Sequence, residues 1–137
     1  MVLVDTPIWS LALRRTAADL NTREQLLTDA LGELIRNGRA KIIGPVRQEL
    51  LSGIRLNGAY RNLCDQLRAF DDPDLQIADY EEAARVHNQC RSRGVAGSPI
   101  DFLICAAAFR RGWQVFTIDQ DFHHYAKAVS VKLYEVD

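Results

Sequence analysis

The sequence predicts an α/β fold with a largely parallel central sheet, on the basis of three observations. Short runs rich in Val, Ile and Leu alternate along the chain with longer segments that have helical periodicity. Several of these longer segments begin at a capping residue or proline and end at glycine. Strands that alternate with helices are typical of βαβ units, in which the strands are parallel. The length of 137 residues is that of one domain, so we expect a single unit over residues 1–137.

The first half of the chain contains the patterns of two strands and four helices. Val2–Val4 is a short aliphatic run, and Thr6 followed by Pro7 supplies an N-cap and a first helical residue for a helix to about Arg15. The next segments are, in order, a helix from a capping box at Thr22–Gln25 to Gly38, a strand at Ala40–Ile43, a helix from Gly44 to about Ile54 and a helix from about Gly58 to Phe70.

The second half contains the patterns of three further strands and three helices, which brings the expected sheet to about five strands. The first of these strands is a short run at Leu75–Ala78, which follows an acidic turn. The next segments are a helix from a capping box of Asp79 and Glu82 to about Arg93, a helix from Ser98 to Arg111, a strand at Trp113–Thr117, a helix over most of Asp119–Val129 and a strand at Val131–Val136.

The composition is that of an ordinary globular protein, with 47% hydrophobic and 26% charged residues. The formal net charge of −1 means that any site for a polyanion must be local. Three widely spaced cysteines without a CxxC pair predict reduced thiols rather than a disulfide or a metal site. The chain shows neither the basic region of a signal peptide nor the ~20 apolar residues of a membrane span, so we expect a cytoplasmic protein without a membrane partner.

Three acids directly follow predicted strands. Asp5 ends the first strand, and Asp119 and Asp121 follow the strand at Trp113–Thr117 in the segment FTIDQDF. In open α/β sheets, ligands bind outside the carboxyl ends of the strands. We therefore expect these acids to lie at the edge of the sheet where a ligand site is typical.

Two further acids lie on apolar faces of predicted helices. In GPVRQELLSGI, Glu49 comes three residues after Val46 and so lies on the apolar stripe of that helix. In SPIDFLICAAAF, Asp101 comes three and four residues before Ile104 and Cys105, which places it on the face that is buried. A buried carboxylate is costly without a partner, so we expect each of these acids to contact a cation or another polar group.

Some of these acids also have a purely structural interpretation. Ser98 and Asp101 match a capping box, and taken alone Asp101 is as well explained by capping as by metal binding. Asp119 or Asp121 could in the same way cap the helix that follows. The individual motifs therefore leave both interpretations open.

The joint pattern favours a metal site. Glu49 could pair with a neighbouring arginine, but Asp5 has no evident capping role because Thr6 supplies the cap. Two unit charges about 4 Å apart repel by about 4 kcal/mol at an effective dielectric constant near 20, so a cluster needs a divalent cation or retained protons. Ligands that are all oxygens favour Mg²⁺ or Mn²⁺ over zinc and suggest phosphodiester hydrolysis by metal-activated water.

Four segments resemble the PIN-domain ribonucleases, and specifically the VapC-type toxins of bacterial toxin–antitoxin pairs. They are VLVDTPIW, RQELLSGI, SPIDFLICAAAF and VFTIDQDF, which follow one another in the family's order between Val2 and Phe122. The resemblance implies that the acidic quartet of the family corresponds to Asp5, Glu49, Asp101 and Asp119, and Asp121 is close enough in sequence to contribute to metal binding.

The resemblance also implies the remaining properties of the protein. It implies a five-stranded parallel sheet flanked by helices, Mg²⁺-dependent endoribonuclease activity, a homodimer and inhibition by a cognate antitoxin. Thr6, Ser98 and Thr117 correspond to polar positions beside the acids, where they would support the ligands or orient water. Pro7 stands where the family often has Ser or Asn, and proline is well suited to the first helical position.

RNA contacts are expected from scattered basic residues rather than from one patch. Arg14 and Arg47 are the favoured candidates for phosphate contact. Trp9 could stack on a base, but a position in the core or at a dimer face is favoured. His123 and His124 are expected to have ordinary surface roles.

Two other functions are alternatives to a nuclease. One is a metal-dependent module that binds nucleic acid without cleaving it. The other is a phosphate-transfer enzyme or regulator. The enzyme class would have an Asp-x-Asp pattern after the first strand, where this chain has Asp5-Thr6-Pro7, and the regulator would have a phosphoacceptor Asp at the end of the third strand and a late strand-end lysine, neither of which is found. Metal-dependent RNA cleavage remains the favoured hypothesis.

Overall fold

The structure is a computed structural model, and it describes residues 1–136. A parallel sheet lies at its centre and comprises β1 (Val2–Val4), β2 (Ala40–Lys41) and β3 (Gln114–Phe116), in the order β2-β1-β3. Val2 pairs with Ala40 on one side and with Gln114 on the other. All three residues of β1 are buried, because the strand is covered on both faces, as is usual for the central strand of a parallel sheet.

Seven α-helices surround this sheet within residues 1–136, so the predicted α/β class with parallel strands is confirmed. They are α1 (Thr6–Leu13), α2 (Thr22–Arg36), α3 (Gly44–Leu51), α4 (Asn57–Leu67), α5 (Ile77–Ser92), α6 (Pro99–Arg111) and α7 (Asp121–Ala128). Most are a few residues shorter than the sequence predicts. The chain leaves α3 at Ser52, which is extended, and Gly53 then adopts a positive φ of 85°.

The prediction of about five strands is wrong for residues 1–136, where the sheet has three. Leu75–Ala78 is not a strand, because α5 begins within it and the Gln76 N–H donates to the Asp79 carboxylate in a capping box. The last segment contributes one isolated parallel bridge between Val115 and Leu133 instead of a strand. Its two flanking hydrogen bonds run from the Val115 N–H to Lys132 and from the Tyr134 N–H to Val115.

Three helix N-termini are capped by different residues from those predicted. Asp5, and not Thr6, is the N-cap of α1, since its carboxylate accepts the Thr6 N–H. Asn21, rather than Thr22, forms the capping box of α2. In α5 the box is formed by Gln76 and Asp79, not by Asp79 and Glu82.

The hydrophobic core includes buried residues from β1, β3 and all seven helices. Every residue of α6 from Phe102 to Ala108 is buried, and α6 packs along α5. Trp9 is fully buried, donates its indole N–H to the Val4 carbonyl at 3.1 Å and packs against Phe70. The predicted core position of Trp9 is therefore confirmed, and base stacking by Trp9 is ruled out in this fold.

All three cysteines are free, as the sequence predicts, and Cys90 and Cys105 are buried. None of the helices described in residues 1–136 combines the length and apolar character needed to cross a membrane.

Candidate metal centre

The site lies at the carboxyl edge of the sheet, where β1 and β3 end side by side. The Asp5 N–H donates to the Phe116 carbonyl at 2.9 Å, which continues the pairing of the two strands by one residue. Because parallel neighbours end at the same edge, this bond brings Asp5 next to Thr117 and the loop that follows β3.

Asp5 is a buried carboxylate, with 5% of its surface exposed, and both of its oxygens accept hydrogen bonds. Oδ1 accepts the Thr6 N–H at 2.8 Å, and Oδ2 accepts the Thr117 hydroxyl at 2.7 Å. Burial raises the pKa of Asp5 to about 6, the two hydrogen bonds oppose that shift, and the charges of Asp101 and Glu49 add to it. Asp5 is therefore rigidly held, and its carboxyl group titrates close to neutral pH.

Three further carboxylates form the tightest acidic cluster at this edge. Asp101, Asp119 and Asp121 each offer an oxygen, and these three oxygens all lie within 4.8 Å of one another. Asp101 comes from the first turn of α6, Asp119 from the loop after β3 and Asp121 from the first turn of α7. Burial raises the pKa of Asp101, hydrogen bonds from hydroxyl groups lower it, and the charges of Asp119 and Asp121 raise it again.

The loop after β3 is folded by its own side chains. The Asp119 N–H donates to the Thr117 hydroxyl at 3.0 Å, and the Asp121 N–H donates to Asp119 Oδ1 at 2.9 Å. Thr117 thus connects Asp5 to Asp119, since its hydroxyl group also donates to Asp5. This loop conformation brings both Asp119 and Asp121 to Asp101.

Glu49 is exposed and lies next to Asp5 rather than within the tight cluster. Its Oε2 accepts the Thr6 hydroxyl at 2.9 Å, so α1 holds the end of the Glu49 side chain. Its charge contributes to the raised pKa of Asp5, which shows that the two carboxylates are close enough to interact. Asp5 and Glu49 both stand outside the group of three oxygens.

The three predicted supporting residues each bond to an acid. Thr6 donates to Glu49, Thr117 donates to Asp5, and Ser98 accepts the Asp101 N–H at 3.1 Å. Ser98 is therefore the N-cap of α6, as its sequence motif predicts. The helix cap and the acidic cluster are compatible, because the cap uses the Asp101 backbone and leaves its carboxylate free to contact the other acids.

The two candidate arginines differ in their surroundings. Arg14 is exposed just beyond α1. Arg47 pairs with Asp72 at 2.7 Å and donates to the carbonyl groups of Leu67 and Phe70. This arrangement ties α3 to the segment after α4 and favours a structural role for Arg47 over phosphate contact. Asp72, in the acidic turn between α4 and α5, is therefore paired.

Sequence reasoning missed Tyr125. Its side chain is fully buried in α7, and its hydroxyl group donates to Asp101 Oδ2 at 2.7 Å. The only trace in the sequence is spacing, because Tyr125 follows Asp121 by four residues and so lies on the same face of the helix.

The acidic site has no compensating base in the described part of the chain. Among residues 1–136, neither Asp5, Glu49 nor any carboxylate of the tight cluster has a basic side chain within 4.0 Å. A cluster of carboxylates without a nearby base is stabilised by a cation, and a donor set of oxygens alone fits hard divalent ions such as Mg²⁺ and Mn²⁺. Fold and site together define an α/β protein with a candidate divalent-metal centre at the carboxyl edge of a parallel sheet.

The chain belongs to the PIN-domain family, whose model, described as "PIN domain", matches residues 2–128. This finding agrees with the sequence motifs, all of which lie inside the matched range. No curated protein sequence matches the chain.

Several solved structures share this fold. The FitAcB structure from Neisseria gonorrhoeae contains a chain that is 18% identical, with a TM-score of 0.75 over 98% of this chain and 97% of that chain. VapBC2 from Rickettsia felis, bound to a DNA fragment from its promoter, gives 17% identity and a TM-score of 0.74 over 100% of both chains. VapBC-1 from nontypeable Haemophilus influenzae gives 12% identity and a TM-score of 0.70 over 98% of both chains.

Proposed function

We propose that this protein is a divalent-metal-dependent endoribonuclease that acts as the toxin of a toxin–antitoxin pair. The observation that carries the proposal is the group of three carboxylate oxygens within 4.8 Å of one another, without a basic partner among residues 1–136. Membership of the PIN-domain family supports the same chemistry.

Asp101, Asp119 and Asp121 would hold the metal ion most directly, with Asp5 and Glu49 beside them. Mg²⁺, or Mn²⁺ in its place, supplies Lewis-acid chemistry by activating water and neutralising charge on the scissile phosphate. The assignment of Asp5, Glu49, Asp101 and Asp119 as the catalytic acids follows the family resemblance, and the short distances to Asp121 support its inclusion among the metal ligands.

The side chains of this protein orient the site. Thr117 and the Thr6 N–H hold both oxygens of Asp5, and burial raises the pKa of this carboxyl group to about 6, so a nearby positive charge would favour its ionised form. The Thr6 hydroxyl group directs Glu49 toward the same edge. Ser98 fixes the first turn of α6 and hence the position of Asp101.

A groove beside the metal centre supports a polyanionic substrate. It has a volume of about 520 Å³ and begins at Thr117 and Gln120, directly next to Asp119. Arg23, His123 and the aromatic ring of Tyr134 line it together with two acids, Glu24 and Glu135. Positive and aromatic side chains next to carboxylates are suited to a phosphate backbone and an unstacked base, and exposed Arg14 is a further candidate for phosphate contact.

The direct test is cleavage of a labelled single-stranded RNA by the purified protein with Mg²⁺ or with EDTA. We expect Mg²⁺-dependent cleavage that falls at least about a hundredfold in Asp101→Asn and in Asp119→Asn, because losing a ligand costs at least as much as losing its supporting partner. Asp65→Asn is the matched control, because Asp65 is an exposed acid of α4. Binding of the RNA without cleavage would instead support a non-catalytic module, and equal cleavage of DNA would overturn the assignment to RNA.

The toxin role has a separate test. The solved chains that share this fold come from FitAB and VapBC structures, which supports a cognate antitoxin partner, whereas the expected homodimer rests on the family resemblance alone. Induced expression of the wild type in a bacterium should stop growth, whereas Asp101→Asn should not. Normal growth with active wild-type enzyme in the lysate would overturn the toxin role and leave the nuclease assignment intact.

A further inference from the structure

Helix α7 directs two side chains toward Asp101. Asp121 lies in the first turn of α7, and Tyr125 follows four residues later on the same face. Asp121 shares the carboxylate cluster with Asp101, and the Tyr125 hydroxyl group donates to Asp101 Oδ2 at 2.7 Å. A single helical face thus supplies both an acid and a hydrogen-bond donor to one carboxylate.

Tyr125 is locked in place by its surroundings. Its ring packs against Phe102 at 5.3 Å and against Phe122 at 5.0 Å between ring centroids, and no part of it is exposed. The backbone of Gly97 lies directly against the hydroxyl group, so that a Cβ on Gly97 would stand 2.5 Å from Oη and 2.7 Å from the ring. Only glycine leaves room for the phenol at this position.

The hydrogen bond divides the two oxygens of Asp101. The buried Tyr125 hydroxyl group donates to Oδ2 at 2.7 Å and not to Oδ1. An oxygen that accepts a short bond from a fixed, buried donor is less able to turn toward a cation. Asp101 is therefore arranged to offer a single oxygen to the cluster.

We propose that Tyr125 is a positioning residue that restricts Asp101 to one-oxygen binding and so favours Mg²⁺ over Ca²⁺. Mg²⁺ requires near-ideal octahedral geometry, whereas Ca²⁺ takes six to eight oxygens and readily accepts both oxygens of a carboxylate. A carboxylate whose Oδ2 is hydrogen-bonded to Tyr125 and which offers only one oxygen is suited to Mg²⁺ rather than to Ca²⁺. This inference rests on the proposed function, since it assigns a metal preference to the same site.

The test measures binding of Mg²⁺ and of Ca²⁺ to the full chain by isothermal titration calorimetry, without RNA. In Tyr125→Phe, which keeps the ring and removes the hydroxyl group, we expect Mg²⁺ affinity to fall by about tenfold. Ca²⁺ affinity should stay the same or rise, so the ratio of the two affinities should fall. Tyr60→Phe is the matched control, because Tyr60 lies in α4, which supplies no acid to the site, and the loss of its hydroxyl group should leave both affinities unchanged.

A second variant tests the same contact from the opposite side. Gly97→Ala keeps Tyr125 but places a methyl group where its hydroxyl group lies, so it should lower the Mg²⁺-to-Ca²⁺ preference in the same direction. Gly58→Ala is its control, because a Cβ on Gly58 meets nothing within 4 Å.

The outcomes separate the two proposals. If the wild type binds neither ion, the metal centre itself is overturned, and the role of Tyr125 with it. If the wild type binds Mg²⁺ but Tyr125→Phe lowers the affinities for both ions equally, or lowers neither affinity, Tyr125 is a packing residue only, and the proposed nuclease site remains.

Discussion

Two buried aspartates in this protein have opposite electrostatic surroundings. Asp79, at the start of α5, has no exposed surface and accepts hydrogen bonds from Arg111 at 2.7 and 3.0 Å and from Arg110 at 2.7 Å. Asp5, at the end of β1, is nearly as buried, but the charges that act on it are those of Asp101 and Glu49. Both side chains are almost without exposed surface, but Asp79 has two arginine partners, whereas burial acts on Asp5 without a basic partner to offset it.

The pKa values of the two groups differ accordingly. The hydrogen bonds from Arg111 hold the pKa of Asp79 well below its usual range, and Arg110 adds to this. Burial raises the pKa of Asp5 to about 6, since no basic group offsets it. The fold therefore pairs an acid with arginines where the acid has a structural role. At the carboxyl edge of the sheet it leaves the acids available to an external cation.

The largest expected effect concerns Asp79. Asp79→Asn removes the charge that two arginines share, and breaking a buried ion pair in this way costs about 3 kcal/mol, or about 10 °C in Tm. Thermal unfolding followed by circular dichroism measures the change. Asp65→Asn, which removes an exposed pair with Arg68 at 3.8 Å, should leave Tm unchanged. An equally small effect of Asp79→Asn would show that the two arginines do not depend on it.

The next prediction uses pH to separate the two aspartates. The folded protein binds a proton at Asp5 more tightly than the unfolded chain does, so ionisation of Asp5 lowers stability as pH rises from about 4 to 6. The shift corresponds to about 3 kcal/mol at 1.36 kcal/mol per unit. Asp79 acts in the opposite direction, because its lowered pKa stabilises the fold above about pH 4 and this contribution is lost as pH falls toward the folded value.

Urea unfolding of metal-free wild type, Asp5→Asn and Asp79→Asn between pH 3 and 8 tests both signs. The free energy of unfolding of the wild type should fall relative to that of Asp5→Asn as pH rises from about 4 to about 6. The free energy of unfolding of the wild type should rise relative to that of Asp79→Asn as pH rises from about 3. If the free energy of unfolding depended on pH in the same way in all three proteins, the assignment of opposite surroundings to Asp5 and Asp79 would be contradicted.

Local patterns account for the part of the site that could be predicted. Asp5 ends a short aliphatic strand and Ser98 precedes Pro99 at a helix start, so their places follow from the sequence alone. Glu49 was predicted on the buried stripe of α3 because it is in phase with Val46, but its side chain is exposed. Each of these inferences needs only neighbours within one helical turn or one strand. The same local information placed Trp9 in the core.

Contacts between distant segments account for what was missed. Tyr125 and Asp101 are 24 residues apart, and Arg111 and Asp79 are 32 apart, so their pairing depends on how α5, α6 and α7 pack. The missing strands have a similar cause. The segment at 131–136 has strand-forming residues, but tertiary packing gives it a single bridge to Val115, and a capping box turns the segment at 75–78 into the start of a helix.

The smallest expected effect concerns Thr6, which supports the acidic edge from a half-buried position. Thr6→Val keeps the shape of the side chain and removes the hydroxyl group that donates to Glu49 at 2.9 Å. Because Glu49 stays solvated, the free energy of unfolding should change by less than about 0.5 kcal/mol. Mg²⁺ affinity should fall by a few fold, since Glu49 is then free to turn away from Asp5. Thr16→Val removes a hydroxyl group that donates to Asp19 at 2.6 Å, and so controls for the loss of a threonine–carboxylate hydrogen bond outside the acidic site. If Thr6→Val instead lowered Mg²⁺ affinity as much as Asp101→Asn does, Glu49 would belong to the tight cluster rather than to its margin.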